Sequence, residues 1–262
     1  TFAYVSEARR LGVKILPPDV RRSRIRWRGR RGGIRVGLMA VRGLTAGTME
    51  RIIYQRQQAP FRSPDDFFDR VRPAEDEARA LIYCGALDGL APDLSRGRIL
   101  WLLARRHAGG KPSQGILPLF QEQEDHPPPP ALPPDDVRVR LRREFKVLGF
   151  LCDRHPMTLF APAVDRARTV RAGELPRHLG RSVRFAGWLI TGKVAHTKKG
   201  DPMEFLTFED ETGIVETTFF PKAYERFCHL IDRDRPYLLG GTVEQNWGAA
   251  TLTVHSVTPL SR

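Results

Sequence analysis

Metal-assisted nucleotidyl transfer needs carboxylates placed to hold two cations about 4 Å apart, and the sequence groups its acids in three places: Asp65-Asp66, Asp135-Asp136 and Glu209-Asp210-Glu211. Each has a structural explanation, respectively a helix start, the end of a proline-rich stretch and a turn. There is no Walker loop, the seven histidines form no HxxxH or HxH pair, and no serine sits in a glycine elbow. Cys84, Cys152 and Cys228 lie far apart without a CxxC pair, which argues against a disulfide framework or a thiolate zinc site and suits a reducing cytosol. The expectation is a chain with no catalytic residues, no metal site and no cofactor of its own.

Cations point to a binding chemistry instead. The 262 residues hold 43 Lys and Arg against 30 Asp and Glu, a formal charge of +13, and a surplus of that size favours a polyanionic partner. No apolar run approaches the roughly 20 residues of a membrane span, so nucleic acid is favoured over a membrane, and the cytoplasm is the expected location. Residues 1 to 112 carry 23 basic and 11 acidic side chains, and eight arginines crowd into the fifteen positions from Arg21 to Arg35. Arg24, Arg26, Arg28 and Arg30 alternate with Ile25 and Trp27. A strand here would put guanidinium groups on one face and the apolar pair on the other, with Arg31-Gly32-Gly33 as a hairpin turn. Two readings stay open: a solvated edge strand whose charges prevent aggregation, or a phosphate-facing ribbon.

A second binding element is the stretch from Gly37 to Ile53. It reads as an apolar helical run, a short turn around Gly43 and a second amphipathic helix, which is a helix-hairpin-helix. In such a hairpin the amides of the turn and of the following helix N-terminus meet a phosphate. Arg42, Gly43, Leu44, Thr45 and Gly47 are the candidate contacts, and an ordinary helix-helix corner is the alternative. Thr45 stands where the usual hairpin has a second Gly. Leu81 to Leu90, with Gly85 at its turn, repeats the pattern about forty residues on and suggests a tandem unit that follows a duplex backbone without reading bases. A third element is the loop Thr197-Lys198-Lys199-Gly200-Asp201-Pro202, where Lys193, Lys198 and Lys199 supply charge. Trp188, Phe205, Phe208, Phe219, Phe220 and Trp247 could add stacking faces or could fill a core.

These groups must be positioned by two kinds of structure. The first part reads as mainly helical, with Met49, Ile52 and Ile53 on one helix face, an N-cap, first-turn proline and acidic pair at Ser63-Pro64-Asp65-Asp66, and apolar helical stretches at Arg79 to Cys84 and Ile99 to Ala104. Eight prolines between Pro112 and Pro134 then mark a semi-rigid linker, interrupted by the apolar cluster Ile116 to Phe120. The last part contains five strand-like runs, Val183 to Val194, Met203 to Asp210, Ile214 to Phe220, Tyr237 to Trp247 and Ala250 to Val257, with a helix at Lys222 to Ile231 between the third and fourth. That is the element order of an OB-fold barrel, in which the loop between the first two strands often meets single-stranded nucleic acid.

The run Glu7 to Val20, followed by a strand and by Gly37-Leu38 to Gly43, resembles the bacterial C-family DNA polymerases, the DNA polymerase III alpha subunit and its error-prone relatives. The same holds for Leu81-Ile82 with Gly85 to Asp88, Leu148-Gly149-Phe150 with His155-Pro156, and Gly187 through Lys193 with Thr197 to Gly200, Met203 and Phe208-Glu209-Asp210. The resemblance implies a carboxy-terminal fragment beyond the catalytic palm, so that the catalytic aspartates and their magnesium belong to the parent enzyme, a DNA-directed DNA polymerase. The opening Thr1-Phe2-Ala3-Tyr4, with neither an initiator Met nor a leader, fits an internal piece. It further implies a clamp-binding peptide after the hairpin domain, where Gln114, Leu117, Leu119 and Phe120 stand.

The expected fold class is therefore α+β and multidomain. Residues 1–35 form the end of the fingers with the arginine ribbon, 36–111 a helix-hairpin-helix duplex-binding domain, and 112–136 a linker with the clamp peptide. Residues 137–182 form a connecting helical region and 183–262 the OB-fold. The expected work is to bind double- and single-stranded DNA and the sliding clamp in support of processive synthesis. An RNA-binding adapter without polymerase activity is the alternative, and a pure protein scaffold is a third reading.

Overall fold

The computed structural model describes residues 2–108, 135–232 and 235–260. Two compact units divide them, one comprising Lys14–Cys152 and the other Thr1–Val13 together with Asp153–Arg262. The boundaries expected at 35/36 and 182/183 both fall inside these units. The first helix, α1 (Phe2–Arg10), joins the barrel unit: the Phe2 ring lies 5.6 Å from His155 and 5.9 Å from Trp188, and Arg10 pairs with the buried Glu209 at 3.3 Å.

The Lys14–Cys152 unit starts with a small sheet, β1 (Ile15–Leu16), β2 (Arg28–Arg30) and β3 (Gly33–Arg35), in the order β1-β3-β2, with β1 parallel and β2 antiparallel to β3. The hairpin turn expected at Arg31-Gly32-Gly33 is present, Arg30 facing Gly33 across it. The strand expected from Arg24 is shorter than its alternation implies. The Arg24 and Ile25 carbonyls instead accept the amides of Leu38 and Met39. That pairing also removes the long first arm expected for the Gly43 hairpin, because Leu38–Ala40 is only a single 3-10 turn. Gly37 permits the crossing, since a Cβ there would run into the backbone of Ile25, Arg26 and Trp27.

Four helices follow: α2 (Ala46–Gln58), α3 (Pro64–Val71), α4 (Glu75–Tyr83) and α5 (Arg96–Ala108). Ser63 caps α3 by accepting the Asp66 amide, with Pro64 in the first turn, as its sequence requires. Arg70 ties the α2 end to α3 by donating to the carbonyls of Gln55, Ala59 and Pro60 while lying 4.7 Å over the Phe61 ring. Phe67, Leu81, Ile82, Leu87 and Ile99 are fully buried and form the centre of the helical core. The helix α6 (Val137–Leu148) is capped by Asp136 and ends at Gly149 in the left-handed conformation, φ 77°.

In the other unit, α7 (Ala161–Ala167) precedes a closed five-stranded barrel. Its strands are β4 (Ser182–His196), β5 (Pro202–Glu209), β6 (Ile214–Phe219), β7 (Pro236–Asn246) and β8 (Ala249–Pro259), with α8 (Pro221–Phe227) between β6 and β7. The order β4-β5-β6-β8-β7, closed by β7 on β4 and with β6 parallel to β8, is that of the OB-fold. Phe185, Phe208, Phe219, Tyr237, Leu239, Val243 and Leu252 fill it. All five expected strands are present, each beginning or ending within a few residues of its expected place.

Candidate nucleic-acid interface

The Gly43 turn is held from two sides and open on the third. Gly43 has φ 84°, a conformation other residues rarely adopt. On one side, Arg42 is bound to the end of α6, its amide donating to the Val147 carbonyl at 3.2 Å and its guanidinium to the Lys146 carbonyl at 3.4 Å. On the other side the buried Glu77 carboxylate accepts the Thr45 amide at 2.9 Å, the Thr45 hydroxyl at 2.7 Å, the Thr48 hydroxyl at 2.7 Å and the Ala74 amide at 2.9 Å. Burial alone would raise the Glu77 carboxyl, but these hydrogen bonds from Thr45, Thr48 and Ala74 outweigh it and hold the group down at about 2. Thr45 also caps α2 by accepting the Thr48 amide.

A Cβ added at Gly43 would meet nothing within 4 Å. Ala46 and Gly47, the first two residues of α2, are exposed, and no acceptor among the described residues takes their amides. The turn therefore presents free amides and the positive end of a thirteen-residue helix to solvent, which suits a phosphate. Of the residues singled out by sequence, Gly43 and Gly47 lie on this open face. Thr45 is exposed, but its amide and its hydroxyl both donate to Glu77, and Leu44 is buried. Arg42 is exposed, but its guanidinium and amide are bound to the end of α6, so it positions the turn.

The turn at Gly85 has the same sequence pattern and the opposite surroundings. Gly85, φ 77°, terminates α4, its amide donating to Ile82 and that of Ala86 to Leu81. The Arg96 guanidinium covers its outer side, donating to the Tyr83 carbonyl at 2.9 Å and pairing with Asp88 at 2.7 Å. Burial disfavours the charged Arg96, but Asp88 more than compensates, and the net shift is upward.

The arginine ribbon is not a flat strip. Arg24 and Arg28 line a cavity of about 470 Å3 together with other arginines of this unit, whereas Arg26 is exposed but does not line it.

On the barrel, Lys193 is exposed on β4 opposite Phe205 of β5, and Lys198 and Lys199 are exposed in the β4–β5 loop. The Thr197 hydroxyl accepts the Lys199 amide at 3.3 Å and the Asp201 amide at 3.2 Å, so the lysines project from a braced turn. Among the candidate stacking aromatics, Trp188, Phe208 and Phe219 are core, Phe205 is half-buried, and Phe220 is exposed. Trp247 is the residue that sequence reasoning undervalued. It occupies the two-residue β7–β8 hairpin with Gly248, at φ 52° and 85°, and is 106% exposed. An aromatic side chain at positive φ with no burial to favour it presents its ring to solvent. The signal was in the sequence: Asn246-Trp247-Gly248 between two strand runs is a hairpin whose tip carries the Trp.

The acidic clusters are occupied with structure. Asp66 accepts the Arg62 amide and pairs with Arg70, while Asp65 lies 3.6 Å from Arg106. Asp136 caps α6 and Asp135 lies 3.7 Å from Arg143. Glu209 holds Arg10 and His155, and Asp210 accepts the amides of Ala172, Thr212 and Gly213. Among the described residues no group of three or more His, Cys, Asp or Glu could hold a metal ion. Gln114, Leu117, Leu119 and Phe120 lie outside the described residues.

Residues 12–97 match the family model described as a helix-hairpin-helix motif, and residues 183–260 match that of an OB-fold nucleic acid binding domain. The chain is 35% identical over 232 residues to an error-prone DNA polymerase of Anaeromyxobacter dehalogenans, covering 87% of this chain and 19% of that protein. It is 30% identical over 259 residues to a DNA polymerase III subunit alpha of Thermus aquaticus, covering 92% and 21%. An error-prone DNA polymerase of Alkalilimnicola ehrlichii is 31% identical over 252 residues, covering 94% and 23%. The chain therefore spans about a fifth of the length of these relatives.

Proposed function

Since this chain is the helix-hairpin-helix and OB-fold region of the bacterial DNA polymerase III alpha and error-prone DNA polymerase family, we propose that it holds the DNA on which a parent polymerase works, the chemistry lying in the parent's other domains. The duplex is held at the Gly43 turn, through phosphate contacts that carry no sequence information. The observation that carries this reading is the turn itself: fixed by Glu77 and α6, open outside, with amides at Ala46 and Gly47 that no described residue accepts. The arginine-rich segment adds long-range attraction for a polyanion. The barrel takes a single strand, with Lys193, Lys198 and Lys199 on phosphates and Trp247 stacking on a base.

Clamp binding is the second part of the proposal and rests on the family resemblance of Gln114, Leu117, Leu119 and Phe120. Two large apolar side chains entering a partner pocket contribute roughly 1.5–3 kcal/mol each. That suffices for a micromolar contact after ordering costs, and tethering to bound DNA makes a weak contact effective.

Duplex affinity measured against salt tests the first part: a steep fall with little dependence on sequence is expected, and a flat response or a strong base preference overturns it. Competition between DNA and RNA of the same sequence distinguishes this role from that of an RNA adapter, which would favour RNA. For the second part, Leu119→Ala with Phe120→Ala in the parent polymerase is expected to abolish clamp binding and shorten extension products while the fragment melts unchanged. Retained clamp binding would place the docking peptide elsewhere.

A further inference from the structure

Among the described residues, seven arginines line the cavity in the Lys14–Cys152 unit, together with Leu16 and Gly33. They arrive from different parts of the chain: the segment before β2, the β2–β3 hairpin and helix α2, which contributes Arg56. Their charge is poorly compensated. Asp19 pairs with Arg21 at 3.3 Å and lies 4.0 Å from Arg22, and Arg35 and Arg56 donate to the carbonyls of Pro17 and Val20. Among the described residues no carboxylate comes within ion-pairing distance of Arg24, Arg28 or Arg31. Burial pushes the Arg56 guanidinium down, Asp19 partly offsets this, and Arg24 adds to it.

We propose that this cleft is a binding site for a compact oligophosphate, a diphosphate or triphosphate group held by several guanidinium forks at once. Three features select that ligand. One is charge density: a strand backbone brings one negative charge per phosphodiester, too few for a concave wall of seven arginines that one carboxylate offsets among the described residues, whereas a triphosphate concentrates about four in one place. Another is shape, since a cavity of about 470 Å3 accepts such a group from several sides, as a convex duplex surface cannot be. The last is the lining, which among the described residues has no aromatic ring to hold a base and no carboxylate to carry a metal ion. The cleft therefore holds the phosphates without reading a base and without transferring a phosphoryl group. The cleft binds phosphates independently of how the Gly43 turn or the barrel meets DNA.

The test is calorimetric titration of the whole 262-residue chain with orthophosphate, pyrophosphate and tripolyphosphate at fixed ionic strength. Nucleoside triphosphates with different bases show whether the source is a nucleotide or a free oligophosphate. Affinity is expected to rise with phosphate number, with tripolyphosphate at least about tenfold tighter than orthophosphate and the bases equivalent. Arg24→Ala with Arg28→Ala is expected to weaken tripolyphosphate about tenfold or more. Arg138→Ala with Arg140→Ala, on the exposed face of α6, is expected to leave it unchanged. Arg24→Lys with Arg28→Lys keeps the charge without the forks and gives an intermediate loss, and a thermal melt of each variant reports folding. Equal affinity for orthophosphate and tripolyphosphate overturns the proposal, as does indifference to the Arg24 and Arg28 changes. It also falls if binding of covalently closed duplex DNA depends on Arg24 and Arg28 as strongly as tripolyphosphate binding does, because the cleft would then be part of a backbone track.

Discussion

Two glycine turns in one unit, Gly43 and Gly85, share a pattern in sequence and differ in what stands outside them. At Gly85 the amides of residues 85, 86 and 88 are all paired within the chain, and Arg96 with Asp88 closes the outer face. At Gly43 the anchoring groups, Glu77 and the α6 carbonyls, lie behind the turn, and the outer face stays open. A glycine at positive φ is thus no sign of a ligand by itself. One turn ends a helix and is sealed by an ion pair; the other is braced from behind and offers its amides outward. The difference is made by Glu77 and Arg96, which lie 34 and 11 residues along the chain from the glycines they serve.

The largest expected effect is at the brace. Glu77→Ala leaves four buried or half-buried donors without their acceptor and is expected to cost roughly 2–3 kcal/mol in denaturant unfolding. The same carboxylate gives a pH signature. Its value of about 2 lies below the ordinary 4.5, so its contribution is fully present above pH 4.5 and fades as the pH falls toward 2. The Glu77→Gln variant is expected to lose that part of the acid dependence, and an unchanged acid profile would show that the brace is not electrostatic.

Next is Gly85→Ala, which meets both the positive φ and the Arg96 guanidinium and is expected to cost about 2 kcal/mol. Gly43→Ala meets only the φ and is expected to cost about 1 kcal/mol. Equal losses would mean that the two turns are not differently surrounded. On the barrel, Trp247→Ala is expected to weaken single-strand binding by roughly 1–2 kcal/mol with little change in melting, because the side chain is fully exposed. Lys198→Ala with Lys199→Ala is expected to lower single-strand affinity and its salt dependence, with melting again unchanged. The smallest effect is in thiol chemistry. Burial pushes the Cys84 thiol up to about 12, and Cys152 is buried, so in the folded protein a thiol reagent is expected to reach the partly exposed Cys228 first.

Much of this was legible in the sequence, and the failures share a cause. The barrel could be read strand by strand because alternating Val, Phe, Thr and Leu runs and a proline-started helix are local signals. Ser63-Pro64-Asp65-Asp66 is local too, and it caps α3 as written. What local patterns cannot show is which segment a backbone pairs with. The carbonyls of residues 24 and 25 accept the amides of residues 38 and 39, and this single crossing both shortens the arginine strand and reduces the first hairpin arm to one 3-10 turn. The same limit applies to Arg42, whose charge suggested an outward phosphate contact and whose guanidinium lies on α6, more than a hundred residues away in sequence. The place of α1 in the barrel unit rests on Glu209 and His155, equally remote.

Whether the open Gly43 turn holds duplex DNA while the sealed Gly85 turn does not is decided by the duplex affinity of Gly43→Ala and Gly85→Ala, measured at one salt concentration well below each variant's melting temperature. Gly43→Ala, the milder change in stability, is expected to lose affinity about tenfold or more across unrelated sequences, and Gly85→Ala to bind nearly as the parent chain does. If Gly43→Ala binds unchanged, or if affinity follows stability and Gly85→Ala is the weaker binder, the turn is an ordinary corner and the duplex is held elsewhere.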